Sequence, residues 1–200
     1  FLKAQEDFHA SDYAEHLEEY LVDHSSAKFA RVRSTGTPYM TGALARVNAS
    51  WDLLCPQAKV AAAKAGLRPP ELNPMMNNVA QAVEIVDALE RCAALCLKLA
   101  DTAGEETSEP VPFEVRAGRG VGFTEAPRGA AFHDLEFDEE GRVVHASILT
   151  PTAQNVANLE ADMLQLANLL VSEGAPEDVV KLEVEKLVRA YDPCLSCSVH

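Results

Sequence analysis

The sequence predicts a mainly α protein, a helical bundle with a small antiparallel β region inserted at about residues 113–150. Three observations carry this expectation. Apolar residues recur at helical spacing in two long stretches, Met76 to Ala100 and the run that follows Pro151. Between them, from Phe113 to Leu149, that period breaks and glycines divide short runs that read as strands. Finally, 200 residues with 48% apolar content and only 10 Gly and 11 Pro fit one compact domain rather than a disordered chain.

Taken in order, the chain opens on Phe1-Leu2-Lys3-Ala4-Gln5-Glu6-Asp7, with neither an initiator Met nor the basic-then-apolar order of a secretory signal. It reads as mid-protein sequence, and further chain is expected upstream. An acidic amphipathic helix is expected from about Asp12 to Asp23, then a loop around Ser34-Thr35-Gly36-Thr37-Pro38. Val79, Val83, Val86, Leu89, Ala93 and Cys96 recur at spacings of three and four, which predicts a long, well-buried helix. Its end is marked by the acidic connector Asp101-Thr102-Ala103-Gly104-Glu105-Glu106, leading to Pro110 and Pro112. Leu135-Glu136-Phe137, Asp138-Glu139-Glu140-Gly141 and Val143-Val144 read as strand, turn and strand. After Pro151 one helical stripe runs Val156, Leu159, Met163, Leu166, Leu170, and Gly174 and Pro176 separate it from another, Val180, Val184, Leu187, Tyr191.

Composition narrows the function classes. A net charge of -14, with 17 scattered Lys and Arg, opposes binding to phosphate backbones and anionic headgroups, so no nucleic acid partner is expected. No run approaches the roughly 18 apolar residues that a membrane span needs. Five cysteines are too few for a disulfide-stapled secreted fold, and two of them lie in the last seven residues. A reducing compartment, with Cys used as ligand or core residue, is expected.

The terminus reads Tyr191-Asp192-Pro193-Cys194-Leu195-Ser196-Cys197-Ser198-Val199-His200. A Cys-x-x-Cys pair lets two thiolates converge on one metal, and His200 adds a third candidate ligand. Pro193 cannot continue a helix regularly, so the cysteines are expected on a turn beyond it. Other readings compete. A thioredoxin-like pair would open a helix after a strand, whereas this one follows a helix. A structural zinc site needs four ligands and the cluster offers at most three. Two unligated core cysteines are the plainest alternative.

A second motif is Gly118-Arg119-Gly120-Val121-Gly122-Phe123-Thr124-Glu125-Ala126-Pro127-Arg128-Gly129. It fails as a dinucleotide loop, because the glycines alternate and a Pro rather than a helix follows. Glycine-rich β-turn sequence explains the glycines but not Glu125-Ala126-Pro127-Arg128-Gly129.

Asp-Pro-Cys-x-x-Cys-x-x-His resembles the C-terminal signature of nickel-iron hydrogenase large subunits, and Glu-Ala-Pro-Arg-Gly is similar to the family's second hallmark. Pro151-Thr152-Ala153-Gln154-Asn155 resembles its Pro-Thr/Ser-x-x-Asn segment, and Gly42-Ala43-Leu44-Ala45-Arg46-Val47-Asn48 a further family stretch. These matches run from about residue 10 to the terminus in family order, and imply the C-terminal part of a single large-subunit domain. By this resemblance Cys194 is a terminal nickel ligand and Cys197 bridges nickel and iron in a NiFe(CN)2CO cluster. Soft thiolates suit such metals. Arg128 would offer hydrogen bonds to an iron-bound cyanide, with Pro127 packed beside it and the Thr152 hydroxyl facing a second cyanide. A surface arginine and a helix-capping Thr are the ordinary alternatives. Asp192 would support the site as an acceptor, or serve only as a turn residue before Pro193. His200 and the backbone carbonyl of Ile148 would hold a Mg2+, together with a Glu outside this chain. The family's precursor is cleaved after that His, so an ending at His200 resembles the processed form.

Two departures matter. The family's Leu three residues after the Arg is Ala131 here, and no Arg-x-Cys-x-x-Cys motif occurs. Cys92 and Cys96, four apart in an apolar stripe, are expected to be core residues, as is Cys55. The resemblance therefore implies an N-terminal half of the large subunit as a partner, an iron-sulfur small subunit that alone carries the clusters, and an electron-acceptor module using NAD(P), deazaflavin or a disulfide. It implies reversible heterolytic cleavage of H2 in the cytoplasm. The alternatives are a non-catalytic relative like the quinone-site subunit of respiratory complex I, which lacks the metal cysteines, and a zinc-stabilised interaction domain.

Overall fold

The computed structural model describes residues 7–101 and 110–199. Its contacts fall into two compact units, Phe1–Gly42 with Arg116–His200, and Ala43–Val115. The expected mainly α architecture with a small antiparallel region is present, and the first unit holds all of the β structure among the described residues.

That first unit begins with a correction. Instead of an amphipathic helix over residues 12–23, a single helical turn, α1 (Tyr13–His16), gives way to a hairpin of β1 (Leu17–Val22) and β2 (Ser25–Val32). The strands pair antiparallel, Leu17 opposite Val32 and Tyr20 opposite Phe29. The acidic residues that imitate a helical polar face find basic partners across the strands: Glu18 meets Arg31 at 3.1 Å and Glu19 meets Lys28 at 3.6 Å. Tyr20 and Phe29 add a ring contact at 5.7 Å. Cross-strand pairs of aromatic and β-branched residues outweigh a helical period this short.

The predicted β region is a three-stranded antiparallel sheet, β3 (Gly118–Ala126), β4 (Gly129–Phe137) and β5 (Val143–Leu149), in sequence order. Ala126 pairs with Gly129, so Pro127 and Arg128 are the two residues of a tight turn. The β4–β5 turn is fastened by Asp138, whose carboxylate accepts the Glu140 and Arg142 amides at 3.0 and 2.8 Å. Phe132 and Leu149 from this sheet, Ala30 from β2 and Tyr13 make a shared core, with the Tyr13 and Phe132 rings stacked 4.8 Å apart.

Helix α5 (Pro151–Ser172) packs on β2 and β4. It stops at Gly174 (φ 76°), where the Gly174 and Ala175 amides close back on the carbonyls of Val171 and Leu170, both at 3.0 Å. Pro176 then leads into α6 (Glu177–Tyr191), whose first turn carries Glu177 and Asp178 at the positive end of the helix dipole. The chain closes with a short turn of helix, α7 (Leu195–Ser198).

The second unit comprises α2 (Ala43–Ala49), α3 (Pro56–Lys64) and α4 (Asn77–Asp101). The start of α4 is tied down: Asn77 accepts the Leu44 amide at 3.0 Å, and Arg46 grips Glu84 with two bonds of 2.7 and 2.8 Å. The expectation of a well-buried helix holds only for this part. Ala80, Val83 and Asp87 are buried, whereas Leu89, Leu95, Cys92 and Cys96 are exposed. The two cysteines are therefore not core residues of this chain, and Cys55 instead caps α3, its sulfur accepting the Ala58 amide at 3.4 Å. Past Asp101 the acidic connector lies outside the described residues.

Asp134 is a buried charge the sequence did not flag. It is 2% exposed and takes two bonds from Arg119, at 2.7 and 2.5 Å. The Arg119 hydrogen bond holds its carboxyl below the ordinary carboxylate range, against the opposing cost of burial. A depressed folded-state pKa contributes stability above the unfolded value of about 3.9, and that stability is lost as pH falls through the lower folded value. Thermal melts across acid pH should show stability falling below about pH 4 in the native protein. Asp134→Asn should flatten that limb; an unchanged limb would mean other carboxylates cause it.

Candidate metal centre

Helix α6 ends on Asp192 in the left-handed conformation (φ 50°, ψ 53°). For a residue with a side chain this costs about 1–2 kcal/mol, and Asp is among the few that adopt it routinely. The chain thereby turns back on itself, Pro193 prevents the helix from continuing, and Cys194 becomes the first residue before α7. One further turn brings in Cys197, whose amide donates to the Cys194 carbonyl at 3.0 Å. The two Cα atoms lie 5.3 Å apart and the sulfurs meet as a disulfide. Both cysteines are half-buried. The turn expected beyond the helix is thus real, and it brings the two sulfurs together.

What fixes this loop is the start of α5, whose first five residues, Pro151 to Asn155, are all buried. Thr150 caps the helix by accepting the Ala153 amide at 3.4 Å, and donates its hydroxyl proton to the Cys197 carbonyl at 2.6 Å. Thr152 accepts the Cys194 amide at 3.2 Å. The capping role considered for Thr152 therefore belongs to Thr150, and Thr152 holds the cysteine loop. Behind the loop, Tyr191 donates to Asp162 and accepts from Asn158, both at 2.5 Å. Burial, reinforced by Asp162, pushes the Tyr191 phenol well up, so it stays protonated.

The turn between β3 and β4 reaches the same place. Arg128 donates through Nε to the Asp192 carbonyl at 2.7 Å and through Nη2 to Asp192 Oδ1 at 3.0 Å. The guanidinium is thereby bound two residues from Cys194, while Pro127 is exposed at the apex of the turn. The Arg128 and Asp192 side chains remain 39% and 37% exposed, so this pair adds little stability and serves to orient. Ala131 is buried three residues on. Ile148 pairs with His133 in the β5–β4 ladder; His200, its expected companion in a magnesium site, lies outside the described residues.

Among the described residues no group of three or more His, Cys, Asp or Glu side chains could hold a metal ion. Reduced to thiolates, the pair would offer two soft sulfur donors beside the Arg128 cation, which fits part of a thiolate-bound transition-metal centre rather than a closed site.

A family model described as nickel-dependent hydrogenase matches residues 22–200. The chain belongs to that family. It is similar to the sulfhydrogenase 1 alpha subunit of Pyrococcus furiosus, at 40% identity over all of this chain and 46% of that protein. The beta subunit of the NAD-reducing hydrogenase HoxS of Cupriavidus necator is 31% identical over 97% of this chain and 41% of its own length. Among solved structures, an NAD+-reducing [NiFe]-hydrogenase in the H2-reduced state superposes with a TM-score of 0.79, covering 98% of this chain and 44% of that one, at 24% identity. That likeness establishes the fold. The chain spans about half the length of the curated relatives it matches.

Sequence reasoning gave no role to Thr41, Thr150, Gln154 or Asn155, although the last two lie in the Pro-Thr-x-x-Asn match. A signal existed for the last two. Amide side chains are poor residues for a helix interior unless they bond elsewhere, and both follow directly on a first turn that is otherwise apolar or capping. Gly129 is equally constrained: at φ 134°, a Cβ there would collide with the Thr41 side chain and lie 2.9 Å from the Gly42 amide nitrogen. Gly129→Ala should lower stability by roughly 2 kcal/mol or more, whereas Gly118→Ala, with nothing within 4 Å, should not. Equal melting temperatures for the two variants would contradict this packing.

Proposed function

We propose that this chain is the C-terminal part of the large-subunit domain of a nickel-iron hydrogenase, contributing two of the four thiolates of its metal centre. The observation that carries the reading is convergence. Motifs at 125–129, 151–155 and 192–197 are far apart in sequence, yet Arg128 bonds Asp192, two residues before Cys194, Thr152 bonds Cys194, and Cys194 bonds Cys197. A core-packing or surface-turn role gives no reason for that meeting.

In this reading Cys194 would bind nickel and Cys197 would bridge nickel and iron. A NiFe(CN)2CO cluster supplies a soft, redox-active metal pair able to polarise H2 for heterolysis. The protein's part is to hold and tune. Both thiolates sit on a loop fastened at Thr150 and Thr152, which limits reorganisation. Arg128 presents a permanent charge and directional N–H donors to anionic cyanide, with Pro127 beside it and Thr152 toward a second cyanide. Asp192 orients Arg128 and is a positioning group rather than a proton carrier. His200 and the Ile148 carbonyl would anchor Mg2+.

The remaining ligands belong to an N-terminal half, and α4 supports such a partner: Ile85 and Leu89 are 60% and 65% exposed, more than an isolated helix face of this kind should leave in water. Iron-sulfur clusters would lie in a small subunit, since Cys55 caps α3 and Cys92 and Cys96 stand alone on α4. Among the described residues no helix is long and apolar enough to cross a membrane. Similarity to an NAD-reducing enzyme favours a cytoplasmic complex whose electron-acceptor module uses NAD(P), deazaflavin or a disulfide. Electron delivery only to a membrane quinone would overturn that assignment.

Metal analysis of the purified complex should give about one nickel per chain, with infrared bands of bound carbon monoxide and cyanide. Zinc alone, or no metal, would favour an interaction domain or a non-catalytic relative and refute the reading. Cys197→Ser should abolish metal retention. Cys92→Ser should retain it and change stability by no more than about 0.5 kcal/mol, as expected for an exposed position. Comparable nickel loss in both would show that the wrong cysteines carry the metal.

A further inference from the structure

We infer that Asn155, acting with Thr41, is a positioning latch that sets where Arg128 stands relative to the two cysteines. The inference rests on the hydrogenase reading for its purpose but on this chain's own geometry for its existence.

Asn155 is 6% exposed, on the second turn of α5. Its Oδ1 accepts the Thr41 amide at 2.8 Å, and its Nδ2 donates to the Thr41 carbonyl at 3.1 Å and the Arg128 carbonyl at 3.3 Å. Thr41 in turn accepts the Ala130 amide on its hydroxyl oxygen at 3.0 Å. The neighbouring Gln154, 1% exposed, donates to the Ala130 carbonyl at 2.6 Å. The backbone of Arg128 to Ala130 is therefore gripped on several sides by α5 and the Thr41 segment. Gly42 and Gly129 have no side chain where the two segments touch: a Cβ on Gly42 would lie 3.0 Å from the Arg128 carbonyl oxygen.

The division of labour follows from burial. The bonds from Arg128 to Asp192 are half-exposed and can only choose the direction of the guanidinium. Buried amide bonds are costly to leave unmade, so they fix the backbone from which the guanidinium hangs. The Cys194 loop is measured from the same helix turn, through Thr150 and Thr152. One rigid turn of α5 thus registers the arginine and the thiolates against each other, and Asn155 is the arginine's side of that register.

The test compares complexes purified with Asn155→Ala, Thr41→Val, Thr41→Ser and Arg128→Lys. In amide hydrogen exchange, Asn155→Ala should speed exchange at Thr41 and across residues 128–130 roughly tenfold, leaving Cys194 protected by Thr152. Nickel content should stay near that of the native complex, while the cyanide infrared bands shift. The Asn155→Ala shift and the Arg128→Lys shift should not add in the double variant, because both act through one guanidinium. Thr41→Ser, which keeps the hydroxyl, should retain native bands, and Thr41→Val should shift them.

Unchanged cyanide bands with nickel retained would overturn the latch, as would additive shifts. Should Asn155→Ala fail to retain nickel, Thr41→Val decides: nickel lost there too would make this contact part of the fold of the metal loop, and the inference would fall. Native complex lacking nickel and cyanide bands would instead refute the hydrogenase reading, and exchange at residues 128–130 would still judge the latch.

Discussion

The first turns of α5 are the constraint on which the rest of the site depends. A helix N-terminus leaves backbone donors unsatisfied and is ordinarily finished by a cap at the surface. Here the turn from Thr150 to Asn155 is buried, and every polar side chain in it bonds to a segment distant in sequence. Thr150 and Thr152 take the cysteine loop, while Gln154 and Asn155 take the turn that carries Arg128. Removing any of these side chains would leave a buried partner unpaired, so the turn behaves as a unit and not as four independent contacts.

This arrangement explains why little of the site's precision comes from charge. Arg128 and Asp192 form an ion pair at its centre, and both are more than a third exposed. Such a pair is screened and orients more than it stabilises. Rigidity comes from the buried amides and hydroxyls and from the glycines that let two backbones touch. A metal centre built from soft thiolates needs this, because small shifts of a ligand or of a nearby donor alter its electronics.

Much of the fold was legible in the sequence, and the exceptions have physical causes. The long periodic stretches became α4, α5 and α6, and the glycine-divided region became the β3–β4–β5 sheet, since period and breakers are local properties. The stretch from Asp12 to Asp23 misled because its acidic residues fit a helical face, and only the basic residues of β2, invisible to a local window, reveal them as cross-strand pairs. Burial of α4 was overread for a related reason: an apolar stripe shows that a helix has a packing face, not that this chain supplies the cover. At the site, the ligand-type residues were legible from motif spacing. The roles of Thr41 and Asn155 were not, because they exist only where residues 41, 128 and 155 meet.

The account stands on two sulfur ligands from one short loop. Nickel K-edge X-ray absorption fine structure of the purified complex measures this directly, by counting sulfur neighbours of nickel. Four sulfur scatterers are expected in the native complex, and a soluble, nickel-retaining Cys194→Ser complex should show one fewer, replaced by a lighter atom. A nickel shell unchanged by that substitution, or one made of nitrogen and oxygen from the start, would contradict the placement of the metal at this loop.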